Sequence, residues 1–188
     1  MNMICLLEKR EINIDTDDKL VERVLKTGDR DAFESLVEKY KNPVLKILFR
    51  LTGDYDMSLD LAQETFLKCW KYLKSYNPDM KFSSWLFKIA TNLAKDYRSK
   101  KNNDYEELQD ETIAVSGWEQ KLDGEIYVAS ILQKLKEPYK TAMTLRFIKD
   151  MDYCEIAKIM DTGIENIKNY LFRGRKYLLE IAGKEELL

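Results

Sequence analysis

The sequence predicts an all-α protein of two small helical domains joined by an acidic linker, the C-terminal one a helix-turn-helix. Three observations lead there. Apolar residues recur at three-and-four spacing along most of the chain. Period-two alternation is scarce. Only 7 Gly and 3 Pro occur in 188 residues, so the chain carries few breaks. Apolar residues make up 45% and charged residues 34%, the balance of a globular chain rich in solvated helices. The periodic segments divide the chain into a tail (1–14), a first domain (15–101), a linker (102–124), a second domain (125–183) and a short end (184–188).

Asp15 or Thr16 can cap a helix carrying Leu20, Val21, Val24 and Leu25, with Gly28 placed to end it. Asp29 or Asp31 starts the next, with Ala32, Phe33, Leu36, Val37 and Tyr40. Pro43 then reads as the start of a separate helix with Val44, Ile47, Leu48 and Leu51, stopped near Gly53. A long helix follows from about Met57 to Leu73, with Leu59, Ala62, Phe66, Trp70 and Leu73 as its apolar stripe. Asn77-Pro78-Asp79 marks a loop. Ser83 or Ser84 can cap a helix reaching Lys101, which turns Leu86, Ile89, Ala90, Leu93 and Tyr97 one way and Lys88, Asn92, Lys95 and Asp96 the other. After a stretch of low periodicity come helices near Glu125–Leu135, Pro138–Phe147, Tyr153–Met160 and Ile164–Ala182.

Several function classes are thinned out by composition. No apolar run approaches the roughly 20 residues that span a bilayer, and "MICLL" is too short for a signal-peptide core, so a cytoplasmic protein without membrane insertion is expected. Cys5, Cys69 and Cys154 imply no disulfide framework. With no His, no CxxC pair and no phosphate-binding Gly loop, no cofactor, no metal and no enzymatic activity are expected.

Net charge is −2, yet it is unevenly spread. Lys88–Lys101 carries a balance of +4 and Ile164–Leu178 one of +3, while Asn102–Glu125 carries −7. Local patches decide where a polyanion docks. The second basic block ends "EIAKIMDTGIENIKNYLFRGRKYL". A short amphipathic helix with Ile156, Ala157 and Met160, the tight "DTG" connection and a longer helix with Ile164, Ile167 and Leu171 inside make a helix-turn-helix. Asp161 stands where Gly is usual, and Asp tolerates left-handed backbone. The outward face is Glu165, Asn166, Lys168, Asn169, Phe172 and Arg173, residue types that read base edges in a major groove. Arg175 and Lys176 are placed for phosphate. The plainer alternative is a solvated C-terminal helix with cations favoured by its dipole.

The first basic block is flanked by aromatics. Tyr76, Phe82 and Trp85 surround Asn77, Pro78, Asp79 and Lys81, and Lys88, Asn92, Lys95 and Arg98 follow down one helix face. Aromatics beside cations suit unstacked bases; a core role for Phe82 and Trp85 and a solvated face for the cations remain the alternative.

Three blocks together, "DLAQETFLKCW", "FSSWLFKIATNLAKDYR" and "YCEIAKIM…IKNYLFRGRKYL", resemble the extracytoplasmic-function (ECF) sigma factors, small members of the bacterial sigma-70 family. The resemblance covers about Leu20 to Leu178. It implies that Asp60, Gln63 and Glu64 dock on core RNA polymerase, although Ser58-Leu59 stand where the family often has Ala-Glu. It implies that the 75–82 loop captures a flipped base of the minus-ten promoter element, that Trp85, Lys88, Asn92, Lys95 and Arg98 contact the same element, with Asp96 there or orienting the cations, and that the second domain reads the minus-thirty-five duplex. The −7 linker resembles one that threads through the polymerase, or is a plain tether. The implied partners are core RNA polymerase, promoter DNA and an anti-sigma factor, with the free protein a monomer. A helix-turn-helix repressor would explain the second domain but neither Asp60–Gln63 nor the aromatic loop; an enzyme lacks recognisable catalytic clusters.

Overall fold

The computed structural model describes residues 16–104, 123–149 and 151–185. Among them are eight α-helices and no strand: α1 (Asp17–Thr27), α2 (Arg30–Thr52), α3 (Tyr55–Tyr72), α4 (Phe82–Asp104), α5 (Asp123–Gln133), α6 (Tyr139–Lys149), α7 (Tyr153–Ile159) and α8 (Ile164–Glu185). The all-α, two-domain class is borne out. The linker falls largely on 105–122, outside the described residues.

The helix ends follow local chemistry. Asp29 accepts a hydrogen bond from the Ala32 backbone N–H, and Asp54 does the same for Met57. Gly28 and Gly53 close α1 and α2 in the left-handed conformation. Two expected caps differ. Thr16 sits at the N-cap of α1 without a side-chain bond. α4 begins at Phe82, so Ser83 and Ser84 lie inside it.

Two larger corrections concern packing. Pro43 does not separate two helices; α2 runs through it for 23 residues. Pro costs one backbone donor, but Leu36, Tyr40, Val44, Ile47 and Leu51 form one buried stripe across it. Burial of five large side chains outweighs that bond, at about 1.5–3 kcal/mol each. In α3 the buried face is Ser58, Leu61, Thr65 and Cys69, not the stripe through Leu59 and Trp70. Ser58 and Thr65 can be buried because each hydroxyl donates to a carbonyl one turn back, on Asp54 and Leu61. Apolar periodicity alone does not register such residues. Burial pushes the Cys69 thiol up to about 12.

α2 is the axis of the molecule. It packs against α1, α3 and α4 of the first half and against α5 and α6 of the second, while α4 meets α7. One apolar core therefore runs from Leu36, Ile47 and Leu86 into Leu132, Leu145, Ile156 and Ile167. No helix among the described residues is long and apolar enough to cross a membrane.

Candidate nucleic-acid interface

The loop before α4 is built from its own side chains. The Asn77 Oδ1 accepts from the Asp79 N–H at 3.0 Å, and the Met80 N–H donates to the Asn77 carbonyl at 3.1 Å. This Asx turn presents Asn77, Pro78, Asp79 and Lys81 to solvent. Of the two roles open to the aromatics, Phe82 takes the core one, and Tyr76 joins it. Phe82 is 2% exposed and Tyr76 is buried, its hydroxyl donating to the Met80 carbonyl at 2.6 Å. Their rings meet edge-on at 5.9 Å, and Phe82 also meets Tyr40. Tyr76 and Phe82 thus brace the loop from beneath. Trp85, half-buried 5.5 Å from the Tyr76 ring, is the aromatic nearest the surface.

Along α4, Asn92 and Lys95 are exposed, whereas Lys88 and Arg98, like Lys81 just before the helix, are engaged. Lys88 pairs with Asp161 at 2.5 Å, Lys81 pairs with Glu155 at 2.6 Å, and Arg98 pairs with Glu137. All three acids belong to the second half of the chain. Sequence spacing cannot show this, since the partners lie 39 to 74 residues apart.

In the second domain, Asp152 and Glu155 form a reciprocal capping box at the start of α7. Asp161 takes φ 48°, the left-handed turn conformation anticipated for it. Beside it, the Thr162 hydroxyl accepts from the Asn166 side chain at 2.9 Å. Ile167 and Leu171 are buried as expected, but Ile164, the first residue of α8, is exposed. Glu165, Asn166, Lys168, Asn169, Phe172, Arg173, Arg175 and Lys176 are all exposed. Phe172 is 72% exposed, an apolar ring among cations. Arg173 donates to the Tyr139 hydroxyl at 3.5 Å, and Lys168 pairs with Glu165 at 2.7 Å. Gly174 lets α6 approach, since a Cβ there would lie 2.8 Å from Met143 Cγ.

A further face lies on α3. Asp60, Gln63 and Glu64 are exposed together, and Glu64 pairs with Lys68. Beyond them the same face carries Leu67, 70% exposed, and Trp70, 44% exposed, with Leu59 alongside. Trp70 meets Phe33 edge-on at 4.8 Å. Leu59 and Trp70, expected in the core from their spacing, are exposed instead. Leu67, four residues from Gln63 and seven from Asp60, shares their face, a spacing visible in the sequence.

Comparison with known proteins decides the family. Residues 36–103 match Sigma-70 region 2, and residues 126–178 match Sigma-70, region 4. The ECF RNA polymerase sigma factor SigW of Bacillus subtilis is 32% identical, covering 82% of this chain and 90% of its own length. The chain belongs to the ECF sigma-70 family. The ECF RNA polymerase sigma-E factor of Haemophilus influenzae is 33% identical, over 87% of this sigma factor and 93% of its own length. Among solved structures, the sigma factor RpoE in complex with the anti-sigma factor NepR from Bartonella quintana has the same fold, with a TM-score of 0.69 at 22% identity, covering 80% of this chain and 96% of that one. CnrH in complex with the cytosolic domain of CnrY also gives 0.69 at 24% identity, over 90% and 99%. The sigma factor is thus an alternative sigma factor, acting in promoter recognition and transcription initiation. As a class, sigma factors are initiation factors that bind RNA polymerase and promoter DNA.

Proposed function

We propose that the sigma factor docks on core RNA polymerase through the exposed face of α3, holds the unpaired minus-ten element with the 75–82 loop and α4, and reads the minus-thirty-five duplex with α8. The observation that carries this reading is the mixed face of α3. Asp60, Gln63 and Glu64 supply hydrogen-bonding specificity. Leu59, Leu67 and Trp70 supply apolar area that a free-standing protein has no reason to leave in water.

Roles divide by exposure. Asn77, Pro78, Asp79 and Lys81 face an extruded base, whose unstacking costs a few kcal/mol. Tyr76 and Phe82 hold that loop in shape, and Trp85 borders it. Lys88, Asn92, Lys95 and Arg98 line the path of the adjacent backbone. On α8, Glu165, Asn166, Lys168, Asn169, Phe172 and Arg173 face base edges, and Arg175 and Lys176 face phosphates. The protein works in the cytoplasm without chemistry of its own. It is a monomer when free, and an anti-sigma factor that covers the polymerase-binding face controls it. The solved relative RpoE, held by NepR, supports such a partner.

Asp60→Lys combined with Gln63→Ala tests the docking face. Both positions are exposed, so the helical circular dichroism is retained. Core polymerase should then pull down far less of the double variant than of wild type. Co-purification at wild-type affinity would remove α3 from the interface.

A further inference from the structure

The cations of α8 differ in what holds them. Lys168 and Lys176 pair with Glu165 and Glu180, acids of the same helix. Arg173 is held from another helix and by a neutral group: its Nη1 donates at 3.5 Å to the hydroxyl of Tyr139, the first residue of α6. A carboxylate in that place would offset the charge that attracts DNA, and a base could be reached only by breaking an ion pair. A phenol oxygen leaves the charge intact and takes up one N–H of a guanidinium that carries several. The contact is long for a hydrogen bond, so it steers the guanidinium without locking it.

The Tyr139 ring is itself fixed. Its centroid lies 6.0 Å from that of Tyr170 and 5.6 Å from that of Tyr177, which stand on α8 one turn before and one turn after Arg173. Gly174 brings the two helices close at this point: a Cβ there would lie 3.6 Å from Tyr139 Cβ. A tyrosine has few torsions to fix, and rings on both sides hold them. The hydroxyl therefore stands where helix packing puts it, beside an exposed arginine with more torsions to order. Orienting that arginine in advance lowers the ordering cost of binding. The gain falls on a contact that needs direction, two acceptors on one base, more than on a phosphate contact.

We infer that Tyr139 is a positioning residue for promoter reading: wedged between Tyr170 and Tyr177, its hydroxyl aims the Arg173 guanidinium at one base pair of the minus-thirty-five duplex. This rests on the assignment of Arg173 to a base edge made above. Tyr139 acts through the arginine and not on DNA itself. Preference at that pair is then set by α6 and α8 together, not by the recognition helix alone.

The test uses the full chain assembled with core RNA polymerase and an upstream duplex selected from a random pool, then substituted one base pair at a time. Arg173→Ala marks the pair at which preference flattens. Tyr139→Phe keeps the ring and removes only the hydroxyl. It should lower discrimination at that pair about threefold, the low end of the net worth of one hydrogen bond, as suits a long contact. Preference at the other pairs and affinity for unselected duplex should stay as in wild type. Tyr170→Phe removes a hydroxyl from the same ring cluster and should change none of these. In an Arg173→Ala background, Tyr139→Phe should add nothing further. Undiminished discrimination in Tyr139→Phe overturns the inference and leaves base reading by Arg173 standing. An equal loss in Tyr170→Phe, or a further loss from Tyr139→Phe once Arg173 is gone, also overturns it, because either points to general loosening of the cluster. If Arg173→Ala flattens no pair, the base assignment fails and takes the role of Tyr139 with it.

Discussion

Arg173 and Lys176 sit within a turn of one another on α8, both exposed and both cationic, yet they are placed for different work. Arg173 shares the outward face with Asn166, Asn169 and Phe172, and its guanidinium reaches the Tyr139 hydroxyl. A planar fork held in this way suits two acceptors on one base. Lys176 is a point charge on a flexible stem near Glu180. Arg173→Ala should therefore weaken binding to the preferred upstream duplex about tenfold and relax preference at one position, whereas Lys176→Ala should weaken all duplexes alike. Binding assays on a set of single-base variants separate the two. A uniform loss for Arg173→Ala would make it a phosphate contact. At this scale the residue types were legible in the sequence. The burial of Tyr76 was not, and for Phe82 the core and stacking roles both stayed open, because an aromatic beside a loop packs inward or outward according to what lies beneath it.

At the scale of the element, α3 shows how a helix can carry two apolar faces with opposite purposes. Its core face is Ser58, Leu61, Thr65 and Cys69; its outward face has Leu59, Leu67 and Trp70. The more apolar stripe is the exposed one. Stability measurements should reflect this. Leu61→Ala removes a buried side chain and should cost about 2–4 kcal/mol. Leu67→Ala should stay within about 0.5 kcal/mol, as a surface change does, while reducing affinity for core polymerase. Urea unfolding of the two variants checks the first contrast and polymerase pull-down the second. If Leu67→Ala were the more destabilising, the two faces would be exchanged.

At the scale of the whole molecule, the two halves share one core across α2, which packs against α5 and α6 as well as against α3 and α4. Apolar burial that crosses a boundary couples the unfolding of its two sides. Calorimetry at low salt should give one transition, with calorimetric and van't Hoff enthalpies equal. Two separated transitions would show that the halves unfold independently and that the shared core adds little coupling.

Some of this follows from sequence alone, and the division has a physical cause. The helices themselves are local: three-and-four periodicity, the Asp29 cap, the left-handed ends at Gly28 and Gly53 and the Asp161 turn each depend on residues within a few positions of one another. So do the exposed faces of Asp60, Gln63 and Glu64 and of Glu165 to Arg173, which is why the family resemblance could be read before any coordinates. Tertiary structure decided what local rules leave open. Continuity of α2 through Pro43 depends on partners that bury both of its halves. The core face of α3 depends on carbonyls able to take up the Ser58 and Thr65 hydroxyls. The pairing of Lys81, Lys88 and Arg98 with Glu155, Asp161 and Glu137 joins residues far apart in the chain. Charge can be counted from a sequence, but which charges meet is settled only when the shared core brings the two domains together.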